Sequence, residues 1–141
     1  MGQNNSGQSI IEVIIAVGIV ALVLVALVTA VTVSIKNSTF SKNKSIANKY
    51  INEGIEAVRS IRDTSWTTLY SESGQVNGLL SSAGVWNFSG ASDIPATGFT
   101  RTVDVSCPNN QTCNITVTVT WISGGQNHSS SASTVFTKWS N

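Results

Sequence analysis

Two residue sets in this chain have types and spacing that could do chemistry. The first is a single acid, Glu12, set between Ile10-Ile11 and Val13-Ile14-Ile15. An ionisable group in a membrane span costs up to about 2.5–3.5 kcal/mol at the centre and less near the edge. One role for it is local. Ser9-Ile10-Ile11-Glu12 has capping-box spacing, and an acid in a first helical turn suits the helix dipole. The other role is to pair with a cation, which a carboxylate buried among apolar helices needs. The second set is Cys107 and Cys113, around Pro108-Asn109-Asn110-Gln111-Thr112. Without a nearby His or further Cys they cannot complete a tetrahedral zinc site. At the ends of adjacent strands around a turn, they are expected as a disulfide in an oxidising compartment, the other possibility being two buried thiols.

Nothing else resembles reaction machinery. His128 is the one histidine and lies in Gln126-Asn127-His128-Ser129-Ser130, which reads as a polar turn with a surface His. A Ser-His pairing needs geometry, and in a serine-rich chain proximity in sequence carries little. Asp63, Glu72, Asp93 and Asp104 are dispersed, with no D-x-D-x-D calcium loop and no glycine-rich phosphate loop. Eight basic and seven acidic side chains give a net charge of +1, too little for a basic nucleic-acid face. The sequence predicts no enzyme, no cofactor, no metal and no specific nucleic-acid partner. Glycosylation sequons such as those at Asn87, Asn110 and Asn114 carry little weight in so Asn-, Ser- and Thr-rich a chain.

The elements that must position these residues are read from hydropathy. Val13 to Ile35 contains no charge, proline or amide. As a helix rising ~1.5 Å per residue it spans roughly 34 Å, enough for a hydrocarbon core of about 30 Å. A cleaved secretory signal has a basic start, a shorter apolar run and a small-residue site after it. Here Met1 to Gly7 holds no Lys or Arg, and the apolar run passes directly into Ser34-Ile35-Lys36-Asn37. The apolar helix is therefore expected to stay on the mature protein. Gly18, Ala21 and Ala26 are small enough for close helix approach, though each also reads as an ordinary span residue.

Lys36 to Ser45 is polar and reads either as more helix or as a flexible neck. Ala47, Ile51, Gly54, Ile55, Val58 and Ile61 then recur at helical spacing, predicting an amphipathic helix from Ile46 to about Arg62. Glu56–Arg59 and Arg59–Asp63 have ion-pair spacing on it. Within the Ser/Gly-rich stretch from Thr64 to Gly98, short strands are expected near Val76–Leu80 and Val85–Phe88, because so long a structureless loop is unusual. Strict alternation over Phe99–Cys107 and Cys113–Trp121 predicts antiparallel strands, with Val103, Val105, Ile115, Val117, Val119 and Trp121 on the buried face. Ser123–Asn127 signals a turn, and Ser133–Trp139 a third strand. The fold class expected is α+β: a long hydrophobic N-terminal helix that continues into an amphipathic helix packed on a small antiparallel sheet head.

The run Gly7-Gln8-Ser9-Ile10-Ile11-Glu12-Val13-Ile14-Ile15-Ala16 resembles the processing site of type IV prepilins and pseudopilins. In that family a membrane peptidase cuts after the Gly and methylates the new N-terminal amine. The hydrophobic helix then becomes the spine of a filament. The resemblance implies cleavage after Gly7, methylation at Gln8, and Glu12 as the family's acid at the fifth mature position, paired with the N-terminal amine of a neighbouring subunit. Ala47 to Asp63 is similar to the helix that follows the membrane span in minor pilins of the modification type. The leader lacks basic residues, Gln8 stands where Phe is common, and no proline precedes Pro95. Those departures point to a minor pilin or pseudopilin. The organisation implied is a leader at 1–7, a transmembrane and filament-core helix at 8–35, a neck and amphipathic helix at 36–62, and an extracytoplasmic β head at 63–141.

Lys36, Lys42, Lys44 and Lys49 follow the span, which by the positive-inside rule would hold the head in the cytoplasm. The cysteine pair, the Thr-rich sheet and the cleavage motif argue the opposite, and long domains are translocated largely regardless of charge. The head is therefore expected outside the cell membrane. Partners implied by the resemblance are other pilin subunits, the prepilin peptidase, an inner-membrane assembly platform and, before assembly, membrane lipid. A single-pass membrane protein with an extracellular binding or adhesion head is the alternative, with a membrane-tethered hydrolase behind it.

Overall fold

The computed structural model describes residues 6–90, 94 and 98–139, and the side chains from Ile10 onward. The fold is α+β. One helix, α1, runs without a break from Ser6 to Thr64, and a short helix, α2, covers Trp66–Ser71. Five strands follow: β1 (Gln75–Ser82), β2 (Val85–Ser89), β3 (Phe99–Asn109), β4 (Thr112–Ser123) and β5 (Gln126–Thr137). They form one antiparallel sheet in the order β2-β1-β3-β4-β5. Residues 36–45 are helical, so the polar neck is part of α1. Contacts divide the chain into two compact units, Met1–Thr39 and Phe40–Asn141.

In the second unit, the apolar stripe of α1 and one face of the sheet make a single core. Ala47, Ile51, Ala57, Val58 and Ile61 pack against Val103, Val105, Ile115, Val117 and Val119. The alternation read from the sequence is visible as burial: β4 alternates buried and outward residues from Cys113 to Trp121. Gly54 faces the sheet because there is no room for more. A Cβ there would lie 2.9 Å from Val117 Cγ1 and 3.1 Å from Arg101 Cδ.

Arg101 departs from the alternation. It is in phase with Val103 and Val105 and is fully buried. Its Nη1 donates to the Tyr50 carbonyl at 2.8 Å and lies 3.9 Å from Glu53 Oε2, while the guanidinium sits 5.7 Å from the centre of the Trp86 ring. A buried guanidinium requires such partners, and they are spread over α1 and β2, beyond the reach of local sequence pattern.

Several local expectations change. The two short strands expected near Val76 and Val85 form; they pair with each other, and β1 pairs with β3, so the C-terminal three-stranded meander is extended to five strands. The last strand starts at Gln126, and Trp139 lies outside it; the turn narrows to Gly124-Gly125, both at positive φ. Trp66–Ser71 forms α2, capped by Ser65, whose side chain accepts from the Thr68 N–H. The Glu56–Arg59 pair forms at 2.8 Å. Asp63 pairs with its neighbour Arg62 at 2.7 Å, in place of the expected Arg59.

Candidate functional site

The N-terminal stretch of α1 contains most of the residues singled out from the sequence. Gly7 and Gln8 lie in its first turn, with the Gln8 side chain outside the described set; Met1–Asn5 also lie outside the described residues. Because α1 already runs from Ser6 and holds no acid in its first turn, Glu12 sits in the second. The capping-box reading of Ser9–Glu12 needs Ser9 outside the helix, and Ser9 is inside it. Glu12 is exposed, and no described residue bonds to it.

Around Glu12 the helix is apolar on every side and covered on none. Every residue from Ile10 to Lys42 is exposed, and Leu22 reaches 73% exposure. The stretch is long and apolar enough to cross a membrane. A helix hydrophobic all round needs lipid or other helices about it. Its threonines suit that surrounding. Thr29 Oγ1 donates to the Val25 carbonyl at 2.9 Å and Thr32 Oγ1 to that of Val28 at 2.8 Å, so these hydroxyls are satisfied inside the helix. Gly18 would meet nothing within 4 Å if it carried a Cβ, which leaves space for another helix.

In the second unit, Cys107 and Cys113 form a disulfide across the β3–β4 turn. It closes the hairpin where the ladder register shifts between Ser106 and Asn109. The tip is tied down from three sides. Trp66 Nε1 donates to the Asn110 carbonyl at 3.0 Å, the Cys107 N–H to Ser73 Oγ at 2.9 Å, and the Lys138 N–H to the Gln111 carbonyl at 2.9 Å. The bridge therefore holds α2 and the chain end as well as its own two strands.

His128 belongs to β5 and is half-buried, not a surface turn residue. It stacks on Trp121 at 5.7 Å, meets the edge of Phe40 at 5.1 Å, and places Nε2 3.3 Å from the Ser123 carbonyl. The strand register explains this: His128 pairs directly with Trp121, a long-range fact absent from the local sequence. At the far end of α1, Arg62 lies between the Phe136 and Trp139 rings, at 4.8 and 5.2 Å. The Arg62 guanidinium beside Asp63, helped by the Trp139 N–H, holds the Asp63 carboxyl below its ordinary value. A shallow depression bounded by Gly98, Thr100, Thr120, Trp121, Ile122 and Asn127 has no titratable side chain in its lining. Among the described residues no group of His, Cys, Asp and Glu could hold a metal ion. The features with functional chemistry are thus a membrane-capable helix with one unpartnered acid near its start and a disulfide-closed head. Comparison with protein-family models, curated proteins and solved structures gives no match.

Proposed function

We propose that this chain is a structural subunit of a type IV pilus or a type II secretion-like filament, a minor pilin or pseudopilin. In this reading a prepilin peptidase cuts after Gly7 and methylates the amine of Gln8. The apolar helix rests in the cell membrane, with the head outside, until an inner-membrane assembly platform extracts it. It is then buried among the helices of neighbouring subunits.

The observation that carries this reading is Glu12. It is the one charge in the exposed apolar stretch from Ile10 to Ile35, it lies beyond the first turn, and it has no partner among the described residues. A carboxylate placed so, once surrounded by other helices, requires a cation from outside its own chain. Processing creates such a cation on every subunit, its N-terminal amine, and the resemblance to prepilins pairs Glu12 with the amine of a cut neighbour. Pairing the two fixes the axial stagger of adjacent subunits. The disulfide agrees with a head in an oxidising compartment.

The test is the mass of the intact chain extracted from membranes of cells with an active prepilin peptidase. The expected species lacks Met1–Gly7 and carries a methylated Gln8. Gly7→Val should block maturation, because the peptidase must approach the backbone at that position. A chain that keeps Met1 in such cells overturns the proposal in favour of a single-pass membrane protein with a binding head.

A further inference from the structure

The two edges of the sheet are unlike. At one edge β2 is five residues long; at the other, β5 has twelve and pairs with β4 along its whole length without a register shift. Natural edge strands are usually blunted by shortness, charge, proline or a bulge. From Gln126 to Thr137 there is no charged residue and no proline, and the ladder is continuous.

The turn tells which backbone groups are free. Gly124 and Gly125 have φ of 61° and 77°, the signature of a two-residue type I′ hairpin. In such a hairpin the flanking pair, here Ser123 and Gln126, exchanges backbone bonds, and every second pair beyond does the same. Gln126, His128, Ser130, Ala132, Thr134 and Phe136 thus spend their N–H and C=O on β4. The Lys138 N–H, in the same phase, reaches the Gln111 carbonyl at 2.9 Å. Asn127, Ser129, Ser131, Ser133, Val135 and Thr137 direct theirs at the open edge, where no described part of the chain meets them.

We propose that the β5 edge is a strand-pairing surface for a second copy of this chain, joined antiparallel about a two-fold axis. With Ala132 on the axis, Ser131 faces Ser133 of the second copy, Ser129 faces Val135, and Asn127 faces Thr137. Each edge-facing residue then exchanges both of its backbone bonds. Lys138, the charged residue adjoining β5 in the sequence, falls opposite Gln126, so no like charges meet along the paired strands. Foreign strands added to an edge are selected by pockets for alternate side chains. The middle of this edge, Ser129, Ser131 and Ser133, offers only small hydroxyl side chains, whereas self-pairing needs only the matched backbone. The two-fold runs the Phe40–Thr64 part of α1 in opposite directions in the two copies. The contact is made by the head alone, within Phe40–Asn141. It does not depend on cleavage after Gly7.

The test uses the full chain in detergent, with micelles in excess, followed by amide hydrogen exchange across a concentration series and by light scattering. The expected result is monomer passing to dimer, with the amides of Ser129, Ser131, Ser133 and Val135 gaining protection over the same range. Ser131→Pro removes an edge-facing N–H that the head itself does not use, and should abolish both changes while keeping the thermal midpoint. If Ser131→Pro does not fold, Ser131→Lys with Ser133→Lys places lysines opposite one another and should weaken the dimer roughly tenfold or more. Edge amides that stay unprotected at every concentration overturn the proposal. So does association of undiminished strength in the variants, which would place the contact in the apolar helix.

Discussion

Exchanging Glu12 for Gln keeps the shape of the side chain and removes its charge. Because α1 begins before Ser9, the substitution leaves no cap unsatisfied, and membrane insertion should be unchanged or better. Inside a filament the neighbour's amine would lose its carboxylate, and breaking a buried pair costs about 3–5 kcal/mol. The fraction of Glu12→Gln recovered in sheared filaments relative to membranes should fall well below that of the unaltered chain. An unchanged ratio would remove the main support for the assembly role. Two glycines make a second contrast. Gly54→Ala gains about 0.8–1.0 kcal/mol of helix propensity but drives a Cβ to 2.9 Å from Val117 Cγ1, and overpacking costs about 1–3 kcal/mol. Denaturation followed by tryptophan fluorescence should show a net loss of head stability. Gly18→Ala meets nothing and should leave the head's midpoint where it was.

The hairpin and the end of α1 are tested as elements. Closing the short Cys107–Cys113 loop contributes roughly 2 kcal/mol in the chain-entropy model. Cys107→Ser should lower head stability by about that amount. It should also loosen α2, because Trp66 bonds the hairpin tip at Asn110; faster amide exchange over Trp66–Ser71 is the expected sign. At the end of α1, Asp63 is ionised more readily in the folded chain than an ordinary aspartate, whose pKa is 3.8, because of the Arg62 guanidinium beside it. A lowered folded pKa means a contribution that is full above about 3.8, the unfolded value, and lost as pH falls through the folded one. Since Asp63 is largely exposed, the effect on stability is small. Its local sign is clearer: the Trp139 indole N–H, 3.4 Å from Asp63 Oδ1, should shift in NMR below pH about 3.8, and Asp63→Asn should remove that titration.

For the whole molecule, the division into Met1–Thr39 and Phe40–Asn141 implies two separable behaviours. The head has its own core, from Ala47 to Phe136, whereas the first unit buries no described apolar side chain. Replacing Val23 and Leu27, both exposed, with Asp should abolish membrane recovery, since each acid at a helix centre costs about 2.5–3.5 kcal/mol. The head's unfolding midpoint should not move. A matching drop in the midpoint would show that the apolar stretch supports the head's fold.

The sequence by itself determined whatever depends on near neighbours. Thr and Val alternating from Cys113 to Trp121 fixed the buried face of β4, because a strand has period two. The Ala47-to-Ile61 stripe fixed the face that α1 presents to the sheet. The unbroken apolar run fixed a membrane-capable helix through its length alone, and the spacing of Cys107 and Cys113 around a turn fixed their closeness. Tertiary structure decided the rest through partners distant in the chain. Helix or flexible neck was open for residues 36–45 because their polar composition suits both. Strand alternation puts Arg101 in phase with Val103 and Val105, but which groups satisfy its charge is decided only when Tyr50 and Trp86 are brought to it. His128 reads as a turn residue until register sets it against Trp121. The edge-facing half of β5 has no local signature, since which backbone groups remain free depends on which strand pairs with it and in what phase.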